Sequence, residues 1–516
     1  MERDKLAVIN FGGQYVRLIA RKIRELGVYC EIVDPENAYG LCSSPRVKGI
    51  ILSGGPDSVQ EEGAPVLDQS FFDLGKPVLG ICYGMQLMAE ILPGGSIEDG
   101  SLSEYGRAEV KITDTDILFE GIFERGEVFT AWMSHGDSVV EEPEDFEILA
   151  ETASAPIVAM ADRQKNLYGV QFHPEVTHTE RGSDILANFI FDICGLEENW
   201  QISDIVQDRV EQIKSALDDD ANVLIGLSGG VDSSVAAALI QEAVGDRLTG
   251  IFIDHGLLRQ GEAEQVKKSF SQVFEFPIKF IDASQRFLGQ LEGVSDPEEK
   301  RNIIGREFIK VFEQEAEDLE NVTHLAQGTI YSDVIESGLD QNAALIKSHH
   351  NVGGLPERME LNLLEPLREF FKDEVRRIGE ELGLPEDVVW RQPFPGPGLA
   401  IRVIGEVTRE KLALLRKADY IFREELENSG ISDKVWQSFA VLPDMKSVGV
   451  MGDTRTYGYP IILRAVDSEE AMTADWVKIP HELLDKIAGR IVNEMEQVNR
   501  VVYDVSSKPP ATIEWE

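Results

Sequence analysis

Three short stretches of this chain hold residues whose types and spacing can do chemistry. In Gly80-Ile81-Cys82-Tyr83-Gly84 a cysteine has glycines two before and two after it. That is the spacing of a nucleophile elbow, with sulfur in place of oxygen. At such a strand-to-helix turn the thiol is lifted above a sheet, and the helix N-terminus favours its thiolate. A thiolate nucleophile needs a base, and the base an orienting partner. Gly169-Val170-Gln171-Phe172-His173-Pro174-Glu175 supplies both, and on an extended segment Glu175 can lie beside His173. The third stretch, Ser228-Gly229-Gly230-Val231-Asp232-Ser233-Ser234, follows an apolar run that reads as a buried strand. Strand, glycine turn and helix bring backbone N–H groups to bear on an anion. The three serines add hydroxyl donors for phosphate oxygens, and Asp232 suits a Mg²⁺ ion held against them. This is not the commoner phosphate loop, because no lysine lies between Lys214 and Lys267.

The elements that must position these groups follow from periodicity. Leu6 to Asn10 reads as a strand and Val16 to Leu26 as a helix closed by Gly27. Gly49 to Pro56 and Lys76 to Leu92 repeat the strand-turn pattern, and alternation of this kind predicts a parallel sheet with helices on both faces. Further strands are expected at 248–254 and 276–282, with helices over 296–312 and 369–384. The charged helix over 296–312 has the plain reading of a solvated face. The run Arg391-Gln392-Pro393-Phe394-Pro395-Gly396-Pro397-Gly398 can be neither helix nor inner strand and marks a boundary. Beyond it, 445–466 has the content of paired strands turning at Gly452-Asp453, and 487–501 carries one apolar helical stripe. The fold class is therefore α/β: two doubly wound parallel-sheet domains, 1–197 and 198–390, and a small α+β domain, 391–516.

Composition narrows the partners. The 516 residues include 49 Lys+Arg against 92 Asp+Glu, a formal net charge of −43. Residues 391–516 hold 16 basic and 20 acidic side chains, a net of −4, which leaves −39 for the first 390. Such a field repels nucleic acid and anionic membrane, and the acid excess, with lysine outnumbered by arginine, fits either a high-salt cytoplasm or family drift. With no run of eighteen apolar residues and no signal-peptide core, a cytoplasmic protein is expected. The four cysteines are too few for a disulfide framework, and Cys30, Cys42 and Cys194 lack the flanks of Cys82 and read as structural.

The region 5–195 resembles the class I glutamine amidotransferases. The resemblance implies Cys82, His173 and Glu175 as a catalytic triad that releases ammonia from glutamine. It implies an oxyanion turn at Ser53-Gly54-Gly55-Pro56, with Gly55 and the N–H of Tyr83, and glutamine contacts from Gln86, Ser134, His135 and Asp137. The pattern S-G-G-x-D-S resembles the PP-loop of the N-type ATP pyrophosphatases, implying ATP at 228–234 and Ile253. It also implies a phosphate-covering lid with Asp333, Glu336, Lys347, His349 and His350. The tandem His349-His350 could suggest zinc, but neighbouring residues point apart on an extended chain and no cysteine is near. With the 393–402 and 508–516 segments, the whole chain is similar to the glutamine-hydrolysing GMP synthase family. That likeness implies adenylation and amination of xanthosine monophosphate (XMP), an XMP site of Arg306, Gln437, Arg500, Lys508, Ile513 and Glu514, and a homodimer through 391–516. A tRNA-modifying PP-loop enzyme would instead call for a basic surface and a cysteine near 228–234, and both are missing.

Overall fold

A computed structural model describes residues 3–56, 58–61, 63–98, 103–115, 117–218, 220–317, 319, 322–331, 333–334, 361–468 and 474–516. Of the lid residues named above, Glu336, Lys347, His349 and His350 lie outside these. The chain forms two compact units, Met1–Asp204 and Ile205–Glu516.

The first unit is built on one sheet whose order is β2-β1-β3-β4-β11-β10-β9-β6-β7. Its strands are β1 (Lys5–Ile9), β2 (Cys30–Val33), β3 (Val47–Leu52) and β4 (Val78–Ile81), then β5 (Ser96–Glu98), β6 (Glu104–Ile112) and β7 (Val128–His135). They continue as β8 (Ser138–Glu141), β9 (Glu147–Glu151), β10 (Ala159–Asp162) and β11 (Leu167–Val170), with β5 and β8 paired separately. From β2 to β11 the pairing is parallel, as the alternation of strand and helix predicts, while β10, β9, β6 and β7 extend it antiparallel. The parallel strands read as near-continuous apolar runs, and β3 and β4 are buried almost throughout.

The second unit carries a five-stranded, wholly parallel sheet, β14-β13-β12-β15-β16. Here β12 is Asn222–Leu227, β13 Leu248–Asp254, β14 Ile278–Asp282, β15 Val322–Ala326 and β16 Asn362–Leu364. A second, mostly antiparallel sheet follows, from β17 (Gln437–Val441), β18 (Ser447–Met451), β19 (Thr454–Asp467), β20 (Asp475–Trp476) and β21 (Val498–Tyr503). One apolar core runs from Leu224 and Ile251 through Leu399 and Leu415 to Ile461 and Val498.

Two local expectations change. The helix expected over 487–501 is His481–Glu494, and Val498 belongs to β21, where it is fully buried and paired with Tyr459 of β19. The charged helix is Pro297–Glu317, and far from presenting only solvated charge it buries Lys300 and Glu307 with Ile303, Ile304 and Val311.

Candidate active site

Cys82 stands between β4 and the helix Tyr83–Ile91 with φ 53° and ψ −106°. A side chain holds such a backbone only where the surroundings enforce it. The flanking glycines show how: a Cβ on Gly80 would lie 2.6 Å from the carbonyl carbon of Gly84, and one on Gly84 would lie 2.4 Å from the Leu52 carbonyl oxygen. Strand, turn and helix are packed backbone to backbone, and the thiol is driven upward. It is 4% exposed, and its Sγ is 3.6 Å from the Ser134 carbonyl oxygen.

His173 and Glu175 lie in a turn after β11, not on the extended segment expected. The pair forms all the same, because Thr179 Oγ1 and the Val176 N–H both donate to the His173 carbonyl and close that turn. His173 Nδ1 donates to Glu175 Oε1 at 2.7 Å. Burial alone would lower the imidazole pKa, but the Glu175 carboxylate and a hydrogen bond with Cys82 hold it well above the usual value. With Nδ1 taken, Nε2 is left for the thiol. Tyr15 packs edge-on against the imidazole, its ring centroid 4.8 Å away. By contrast, burial pushes the Cys42 thiol up to about 12 and raises that of Cys194 as well, as structural cysteines should behave.

The glutamine-contact candidates gather here too. Gln86 Nε2 donates to the Asp137 carbonyl at 2.7 Å, and His135 Nδ1 is 2.9 Å from the same oxygen. A Cβ on Gly54 would meet His173 Cε1 at 3.1 Å and Cys82 Cβ at 3.8 Å, and Gly55 lies against the Tyr83 ring. The Ser53–Gly55 turn thus faces the thiol and the imidazole together.

In the second unit β12 ends at Leu227 and the helix Val231–Val244 begins three residues after Ser228, with Gly229 at φ 79°. Ser228 Oγ accepts from the Gly230 N–H at 3.2 Å and is 3.1 Å from Ser233 Oγ. Ser234 is fully buried and donates to the Gly230 carbonyl at 2.8 Å, so its hydroxyl closes the turn. Asp232 Oδ2 accepts from Lys372 Nζ at 2.5 Å, and its buried Oδ1 has no hydrogen-bond partner among the described residues. Arg391 Nη1 donates to the Gly229 carbonyl. Ile253 sits in the neighbouring strand β13, and Asp333 Oδ2 accepts from the Ile330 N–H. Sequence reasoning missed Lys372. Its only local signal was a cation opening the helix Lys372–Glu381, whose first turn is fixed by the Phe371 N–H on Glu374.

The six expected XMP residues are brought together only in part. Gln437 Nε2 donates to Glu514 Oε1 at 3.3 Å. Ile513 precedes Glu514, and Lys508 is bridged through its backbone to Ala474. Arg306 and Arg500 are exposed, on the Pro297–Glu317 helix and on β21. Arg402, which sequence reasoning passed over, grips both Glu514 oxygens, Nη2 at 2.7 Å and Nε at 3.1 Å, and lies over the Phe439 ring.

Three family models match in the order of these sites: Glutamine amidotransferase class-I over residues 7–193, NAD synthase over 201–304, and GMP synthase C terminal domain over 424–515. Curated relatives match end to end. A glutamine-hydrolysing GMP synthase of Halothermothrix orenii is 56% identical over 100% of both chains. One of Carboxydothermus hydrogenoformans is 56% identical over 99% of this chain and 100% of its own, and one of Aquifex aeolicus 55% over 100% of both. The chain belongs to the glutamine-hydrolysing GMP synthase family.

Proposed function

We propose that this chain makes GMP from XMP in two half-reactions, one in each unit. In the first, the Cys82 thiolate attacks the carboxamide carbon of glutamine, and the oxyanion that forms meets backbone N–H groups at Gly55 and Tyr83. His173, kept protonated by Glu175, gives its proton to the leaving nitrogen. Ammonia departs, a thioester stays on Cys82, and water hydrolyses it to glutamate. Gln86, Ser134, His135 and Asp137 hold the substrate. The observation that carries this half is Cys82 on its strained turn with His173 beside it, held through Nδ1 by Glu175.

In the second, the C2 oxygen of XMP attacks the α-phosphorus of ATP, pyrophosphate leaves, and ammonia then displaces AMP at C2. The turn at 228–234 cradles the pyrophosphate. The donor set fits Mg²⁺, which takes one or two carboxylates and otherwise substrate oxygens and water: Asp232 offers one buried, unpartnered oxygen. When bound, the ion neutralises phosphate charge. Lys372 is poised to add a cation on the same side. XMP binds through Arg306, Gln437, Arg500, Lys508, Ile513 and Glu514, where basic side chains suit its phosphate.

The working protein is a cytoplasmic homodimer through 391–516. Supporting that, Val448, Val450 and Tyr457 are 50%, 74% and 62% exposed on the β18–β19 hairpin of a nearly neutral region. No helix among the described residues is long and apolar enough to cross a membrane. Glutamine-dependent AMP release should be seen with XMP and not with other oxygen-bearing acceptors, and release that ignores XMP would overturn the reading. Light scattering should give twice the chain mass of 57.4 kDa.

A further inference from the structure

Among the described residues of the second unit, three cations are completely buried: Lys300, Arg402 and Arg464. All three direct donors at one stretch, Asp504 to Glu516. Arg464 donates to the carbonyls of Ile513, Ser506 and Thr512 at 2.9, 3.0 and 2.9 Å, and pairs with Asp504. Arg402 holds the Glu514 carboxylate. Lys300 reaches past it, with Nζ 2.5 Å from Glu516 Oε2 and its other donors on the carbonyls of Ala400 and Val403 at 3.2 and 2.8 Å. Glu516 Oε1 accepts from the Gly405 N–H at 3.1 Å, and Arg301 Nη2 donates to the Glu516 carbonyl at 2.5 Å.

The ammonium therefore uses all three donors, and the carboxylate is satisfied at both oxygens. Burying an ammonium costs free energy even when it is paired, and burial pulls the Lys300 pKa down against the pull of Glu516. An apolar side chain would fill the same space at less cost. What the pair adds is a fixed relation between two elements. Lys300 lies on the helix that carries Arg306, about 9 Å along its axis, and Glu516 lies two residues beyond Glu514.

We infer that Lys300 is a positioning residue for the XMP site, acting through Glu516 to hold the tail that carries Glu514 against the helix that carries Arg306. This rests on the XMP reading above. Fully buried, Lys300 does not touch substrate.

The test uses the full chain with Lys300→Met, Glu516→Gln and the double substitution, read by steady-state kinetics and by hydrogen exchange of the 504–516 peptide. Exchange in that peptide should quicken and the KM for XMP should rise about tenfold or more, the scale of a lost charge-assisted contact. At saturating XMP, kcat should stay within about threefold, and the KM for ATP and the hydrolysis of glutamine should not move. The double variant leaves no unpaired buried charge, so it folds where a single variant fails, and its KM should match the worse single variant. A loosened tail with an unaltered KM for XMP overturns the inference, and so does unaltered exchange in the double variant. A native chain that does not turn over XMP overturns the parent reading with it, and is told apart because that failure is seen before any substitution.

Discussion

Glu175 in the first unit and Asp232 in the second are both half-satisfied carboxylates. Each has one oxygen in a short contact, with His173 at 2.7 Å and Lys372 at 2.5 Å, and one buried oxygen without a hydrogen-bond partner among the described residues. The partners make the difference. Beside His173 the carboxylate helps to hold the imidazole pKa well above its usual value, so Glu175 acts by deciding where a proton stays. At Asp232 the partner is a lysine side chain reaching from another helix, and the pair stands beside the glycine turn that follows β12. On the proposed function, the first site moves a proton and the second holds charge in place.

Four experiments would break or sharpen that contrast. The largest effect is expected from Cys82→Ala, which should cut glutamine hydrolysis about ten-thousandfold or more while synthesis from added ammonium salts continues. Residual hydrolysis at a comparable rate would remove Cys82 from its role. Asp232→Ala should lower turnover about a thousandfold with either nitrogen source, since both share the adenylate. Detecting ADP and phosphate from the native chain, in place of AMP and pyrophosphate, would contradict the second site.

Glu175→Gln comes third, with glutamine hydrolysis falling about a hundredfold. The carboxylate raises the His173 pKa, so without it burial dominates and the value drops. The imidazolium is then lost at lower pH, and alkylation of Cys82 by iodoacetamide should slow at neutral pH and shift its profile upward. Cys42, pushed up to about 12, should stay silent in both proteins. An unshifted profile would mean that Glu175 does not govern the proton. The smallest effect is expected from Ser234→Ala, which removes a buried hydroxyl from the Gly230 carbonyl. A loss of about 1 kcal/mol in chemical unfolding, with a modest rise in the KM for ATP, would show that this serine shapes the turn. A large loss of kcat would instead make it a direct phosphate contact.

The three chemical motifs were legible in the sequence because each is local. An elbow needs small residues at fixed offsets from its cysteine, and the 2.4–2.6 Å approaches at Gly80 and Gly84 are the reason. A phosphate-cradling turn needs its glycines between a strand and a helix, and the order of residues 222–244 states that directly. The pairing of His173 with Glu175 was legible as well, though the backbone that achieves it is a turn. The end of the 481–494 helix was not, because Val498 suits either element and only its place beside Tyr459 of β19 makes it strand. The cations were hidden for the same reason. Lys300 and Glu516 are 216 positions apart, and Lys372 and Asp232 are 140 apart. A lysine in a charged run reads as solvated, since sequence shows its neighbours along the chain and not those across the fold. Whether an ammonium meets water or a carboxylate is decided only when distant segments close around it.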